Sequence, residues 1–147
     1  MTFTRLVIPE PLLAELVAHA RAELPNECCG LLAGHIEDGI GIVTTRFPIR
    51  NALAGPTEYE TEPRDMLAAF RAMRERGLEL LAVYHSHPTS EPVPSRKDIE
   101  RNTYGETVVH VIVGLAGPTP SVRAWRLTET GYREVGFTGL PPCGEKP

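Results

Sequence analysis

An apolar run, Leu80-Leu81-Ala82-Val83-Tyr84, feeds directly into His85-Ser86-His87 and stops at Pro88. No other segment constrains the fold as much. A short continuous apolar run ended by a breaker reads as a buried strand. On a strand, residues i and i+2 face the same side, so His85 and His87 can aim both rings at one point. On a helix that spacing would splay them. The fold must therefore end a strand at a pair of convergent imidazoles.

Asp98 follows eleven residues after His87, beyond a loop holding Pro88, Pro92 and Pro94. Two imidazoles and a carboxylate make a three-ligand metal set. Structural zinc normally fills all four tetrahedral positions with protein ligands, whereas catalytic zinc keeps one for water. The set points to hydrolysis more than to scaffolding. Ser95-x-x-Asp98 also resembles a helix capping box, with Asp where Glu or Gln is usual. On that reading Ser95 is an N-cap and Asp98 its partner. The cap and the metal role can coexist.

The remaining elements place this strand in a mixed sheet. Residues 3–8, 28–34, 40–47, 107–113, 121–127 and 132–137 read as further strands, with a short one available at 58–61. Gly39 marks one hairpin turn, and Glu129-Thr130-Gly131 marks another. Leu12, Leu13, Leu16, Val17, Ala20 and Leu24 form a helical stripe that opens near Pro11 and ends at Pro25. Met66, Leu67, Phe70 and Met73, with Ala69 and Leu78, form a second stripe closed by Gly77. Pro94-Ser95 opens a third helix. One helix between the first two strands and another before the motif strand predict an α/β chain of the α+β type, a mixed sheet flanked by two to three helices.

The 147 residues read as one domain over 1–139, with a Pro-rich tail at 140–147 expected to be disordered. A net charge of -4 and no Lys/Arg cluster leave no nucleic-acid footprint. No apolar run is long enough to span a membrane, and Met1 to Pro11 lacks a secretory signal. Three cysteines, Cys28, Cys29 and Cys143, fit a reducing, cytoplasmic compartment. Cys28 and Cys29 lack metal-ligand spacing and read as packing thiols.

Metal-assisted hydrolysis also needs a general base, and ligands cannot serve while bound. Glu27, in Pro25-Asn26-Glu27-Cys28-Cys29-Gly30, sits where a helix ends and an apolar strand begins. A carboxylate entering a buried strand should have a partner or a task. From the residues alone it ranks only slightly above Glu58, Glu60 and Glu91.

The full pattern is Glu27, then His85-Ser86-His87, seven residues, Ser95, two residues and Asp98. It resembles the JAMM signature of MPN-plus metallopeptidases. The Pro-x-Glu-x-Cys-Gly context and Gly30-Leu-Leu-Ala-Gly34 are also similar to that family, and the likeness runs over residues 3–137. The resemblance implies a curved sheet related in shape to cytidine deaminases. It implies one Zn²⁺ per chain on His85, His87 and Asp98, with water in the fourth position. Glu27 would move the proton, and Ser95 would hydrogen-bond the oxyanion. Ser86 would face away from the ligands, as support. The implied substrate is a ubiquitin-like or sulfur-carrier protein, cut after its Gly-Gly tail, with the tail held along a sheet edge. The chain is most similar to small stand-alone prokaryotic members, since 48–63 leaves no room for a long insertion.

Rival readings remain at this point. His85-x-His87-x-x-x-Glu91 satisfies a cupin half-motif, with Glu91 as ligand. A two-His, one-carboxylate iron oxygenase shares the ligand types. An MPN-fold binding module without catalysis is the third. His19, His35 and His110 read as structural or solvated, and Trp125 as packing. Asn51 and Tyr59 fall in the region that borders the cleft in relatives. Oligomeric state is not legible.

Overall fold

A computed structural model describes residues 2–139. The tail at 140–147 and Cys143 lie outside the described residues. The elements run β1 (Arg5–Val7), α1 (Glu10–Ala22), β2 (Cys29–Glu37), β3 (Ile40–Ile49), α2 (Pro63–Arg76), β4 (Glu79–His87), α3 (Arg96–Glu100), β5 (Val109–Gly114), β6 (Ser121–Leu127) and β7 (Tyr132–Thr138). The mixed α+β class and the three helices agree with the sequence reading.

The expected curved sheet closes into a barrel, in the order β1-β3-β2-β4-β5-β6-β7. The closing element is three residues long. β1 pairs in parallel with β3 on one side and with β7 on the other. Strand signals show where strands lie but not which edges meet. The segment 58–61 forms no strand and contributes only the bridge Asn51↔Thr61. Asp38 and Gly39 both take positive φ, 50° and 76°, which suits the two-residue β2–β3 hairpin.

Alternate residues of β4 serve two cores. Ala82 and Tyr84 join Leu6, Leu32, Val111 and the α1 residues Leu16 and Ala20. Val83 joins Cys29, Leu31 and the α2 residues Ala69 and Met73. Both helices are narrower in contact than their stripes suggest. α1 ends at Ala22, so Leu24 falls beyond it and is 47% exposed. On α2, Leu67 and Phe70 are 53% and 40% exposed, because the helix rests on the sheet through Ala69 and Met73. Gly77 closes α2 with φ 66°, as expected.

β4 lies centrally between antiparallel β2 and parallel β5. β4 is therefore held on both sides, and its far end carries His85 and His87.

Candidate metal centre and catalytic cleft

His85 and His87 are buried at the C-terminal end of β4, on one side of the strand. α3 brings Asp98 to them. Nε2 of His85 lies 3.2 Å from Nε2 of His87 and 3.2 Å from Asp98 Oδ1. Nε2 of His87 lies 3.3 Å from Asp98 Oδ2. Donors about 2.0–2.1 Å from a tetrahedral ion sit roughly 3.3–3.4 Å apart. The two imidazoles are at that spacing from each other, and each meets a different oxygen of the Asp98 carboxylate, so one donor atom from each residue lies within 4.8 Å of the others. This trio is the group of metal-binding character among the described residues.

The orientation of His87 is set by its other nitrogen. Nδ1 donates to the Glu91 carbonyl at 2.7 Å, which leaves the Nε2 lone pair facing the trio. Glu91 thus contributes its backbone, not the carboxylate a cupin would use. His85 has no such partner, since its Nδ1 is buried without a hydrogen bond. Its ring is instead stacked by Tyr59, 4.8 Å away and 25° from parallel.

Ser95 and Asp98 do form a capping box. Ser95 Oγ accepts the Asp98 N–H at 3.1 Å, and Asp98 Oδ2 accepts the Ser95 N–H at 2.8 Å. The cap aims the Asp98 carboxylate, so cap and ligand placement are one arrangement. The Ser95 oxygen uses a lone pair in the cap and keeps its O–H to donate. Burial opposes ionisation of Asp98, but bonds from His85, His87 and the Ser95 N–H outweigh it. Its pKa falls well below the carboxylate range.

Glu27 is 4% exposed and sits just before β2. Burial pushes its carboxyl up to about 7, against the pull of His87 and Lys97 and with a push from Asp98. A carboxyl near neutrality beside a metal-type trio can exchange a proton at working pH. Ser86 explains how β2 and β4 are held together here. Its Oγ accepts the Cys28 N–H at 2.8 Å, and its own N–H donates to the Cys28 carbonyl at 3.2 Å. Ser86 therefore supports the residue next to Glu27 from the opposite face of β4. Of the competing carboxylates, Glu58 is taken by Lys97 and Arg101, both at 3.2 Å.

Asn51 organises this region more than the sequence indicated. Its Nδ2 donates to the Glu27 carbonyl at 3.0 Å and the Glu58 carbonyl at 3.4 Å. Its Oδ1 accepts the Leu53 and Glu60 N–H groups, both at 3.0 Å. One amide thus ties Glu27 to the loop that carries Tyr59. In sequence Asn51 looks like another turn residue.

The other singled-out residues have structural partners. His19 Nδ1 meets the Tyr84 hydroxyl at 2.7 Å, and exposed His35 pairs with Glu37. Trp125 donates to the Pro92 carbonyl at 2.8 Å. Cys28 and Cys29 are buried free thiols.

The sequence description of prokaryotic homologs of the JAB domain matches residues 9–128. The chain belongs to the prokaryotic JAB family. The JAMM/MPN-plus resemblance, and its small stand-alone prokaryotic type, are thereby borne out. This JAB chain is 39% identical to a probable TtuB-protein conjugate cleaving protease of Thermus thermophilus, over 84% of this chain and 77% of the relative. It is 33% identical to the CysO-cysteine peptidase of Mycobacterium tuberculosis, over 88% and 87%. It is 35% identical to the desampylase of Haloferax volcanii, over 92% and 96%. A solution structure of a Desulfitobacterium hafniense protein superposes with a TM-score of 0.81 at 31% identity, covering 90% of each chain. No helix among the described residues is long and apolar enough to cross a membrane.

Proposed function

We propose that this JAB chain is a zinc peptidase that hydrolyses the amide or isopeptide bond after the Gly-Gly end of a ubiquitin-like or sulfur-carrier protein. The observation that carries the reading is the close grouping of His85, His87 and Asp98 donor atoms beside a buried carboxyl raised to about 7. The relatives named for cleaving TtuB conjugates and CysO-cysteine support the substrate class.

His85, His87 and Asp98 would hold one Zn²⁺, which when bound polarises the scissile carbonyl and lowers the pKa of a water toward about 7. Glu27 takes the proton from the attacking water and passes it to the leaving nitrogen. The hydroxyl joins the carbonyl carbon, the C–N bond breaks, and a carboxylate and an amine result. Ser95 donates its O–H to the oxyanion as it forms. β1 pairs with only Ile40–Ile42 of β3, so the barrel order leaves room for the expected capture of the tail along a strand edge. The buried free thiols Cys28 and Cys29 support a reducing, cytoplasmic setting.

The test is cleavage of a Gly-Gly-tailed carrier fusion by protein loaded with zinc, read by mass. Activity should vanish with chelator and return with Zn²⁺. Tight binding of the fusion without cleavage would instead support a binding module. Stoichiometric iron in protein purified without added metal would overturn the zinc assignment.

A further inference from the structure

The loop between β4 and α3 is fastened across β5 by an indole. Trp125, on β6, donates its Nε1–H to the Pro92 carbonyl at 2.8 Å. We infer that Trp125 is a positioning residue for the metal centre: through Pro92 it holds the Glu91 carbonyl that orients His87. The inference rests on the zinc reading above.

The path from the indole to the ligand has few joints. The His87 backbone is fixed, because β5 pairs beside it and the Leu115 N–H donates to its carbonyl at 3.1 Å. The ring is what remains to be set, and Nδ1 sets it by donating to the Glu91 carbonyl at 2.7 Å. That same carbonyl accepts the Val93 N–H at 2.8 Å. The bond closes a three-residue turn centred on Pro92, whose fixed φ suits such a turn. The Glu91 carbonyl therefore moves only if Pro92 moves. Pro92 has no N–H of its own, so a donor from outside the loop has to hold the turn at its carbonyl.

Pro92 is also held from below. A Cβ at Gly114, the last residue of β5, would lie 2.6 Å from Pro92 Cδ and 3.0 Å from its nitrogen, so the proline rests on bare backbone. Val93 packs on the cluster of Ile112, Trp125 and Leu127. The indole is caged in turn. Tyr132 meets it edge-on at 5.1 Å, and the Arg123 guanidinium lies 4.5 Å from the ring centre, held by Glu134 through two bonds of 2.8 Å. These contacts fix the direction of the buried N–H as well as the place of the ring.

Tryptophan occurs once in the chain. Expression with benzothienylalanine in place of tryptophan therefore exchanges this one N–H for sulfur and keeps the ring shape. Zinc affinity is read by competition with a chromophoric chelator, and the stability of the metal-free protein by thermal melts. Zinc should bind the analogue protein about tenfold more weakly, the lower end of the range for groups that support metal ligands. Gly114→Ala, which displaces Pro92 from the other side, should weaken zinc binding too. Leu127→Val is the control. It loosens the same cluster but keeps the N–H, so melting should fall while zinc affinity stays within about twofold. Wild-type affinity in the analogue protein would overturn the inference, whatever Gly114→Ala does. So would a loss of affinity that Leu127→Val reproduces, since loosened packing would then account for it. Should Gly114→Ala not fold, the analogue decides alone. A wild-type protein that takes up no zinc refutes the metal reading, and the positioning role with it.

Discussion

Ser86→Ala should weaken both the fold and the catalytic step, through one hydrogen bond. The Ser86 hydroxyl is fully buried and accepts the Cys28 N–H at 2.8 Å. Alanine fits the space but leaves that N–H buried and unpaired, at a cost of about 1–3 kcal/mol. At about 3 °C per kcal/mol for a chain of this size, the melting temperature should fall by roughly 3–9 °C. Cys28 adjoins Glu27, so the proposed base loses part of its support. A small displacement of a catalytic group lowers kcat by about tenfold or more. KM should hold, because Ser86 faces away from the cleft. Thermal melts by circular dichroism and steady-state cleavage read the two effects. Ser95→Ala is the contrast. It removes an exposed N-cap acceptor, for about 1 kcal/mol, yet should cost more in kcat by removing the proposed oxyanion donor. A Ser86→Ala protein with wild-type melting temperature and wild-type kcat would overturn the link between the Ser86–Cys28 bond and Glu27.

Three further outcomes are expected. The Glu27 carboxyl, near 7 without metal, must be ionised to act as base, so kcat/KM should rise with pH. A bound dication lowers that pKa, placing the acid limb below about 7; Glu27→Gln should abolish turnover while zinc content, read by elemental analysis, stays at one per chain. Buried His110 titrates near 4 folded and 6.5 unfolded, so its contribution is complete above 6.5 and is lost as pH falls toward 4. The loss is on the order of 3 kcal/mol at most, and urea melts of His110→Leu should show a flatter pH profile across that window. Asn51→Ala removes the four bonds that tie Glu27 to the loop carrying Tyr59. We expect kcat/KM to drop about tenfold, with faster amide exchange at 52–60; exchange unchanged there would remove the loop-anchoring role.

The sequence by itself determined the elements of the candidate site that depend on local spacing. Strand alternation required His85 and His87 to share a face, and the cap pattern at Ser95 placed Asp98 at the start of a helix. Periodicity located the seven strands and the helices α1 and α2. Tertiary structure decided what depends on meetings between distant segments. The barrel is closed by a three-residue strand whose two partners no local signal names. Leu67 and Phe70 look like core in the helical pattern, but the contact made by α2 is narrow. Local context ranked Glu27 barely above other carboxylates and the family signature singled it out; the structure adds that it is buried and electrostatically coupled to His87 and Asp98. The family resemblance put Asn51 near the cleft and His110 read as structural or solvated, but neither reading named their partners. Their importance lies in hydrogen bonds made inside a packed interior, and such bonds exist only once the chain has folded.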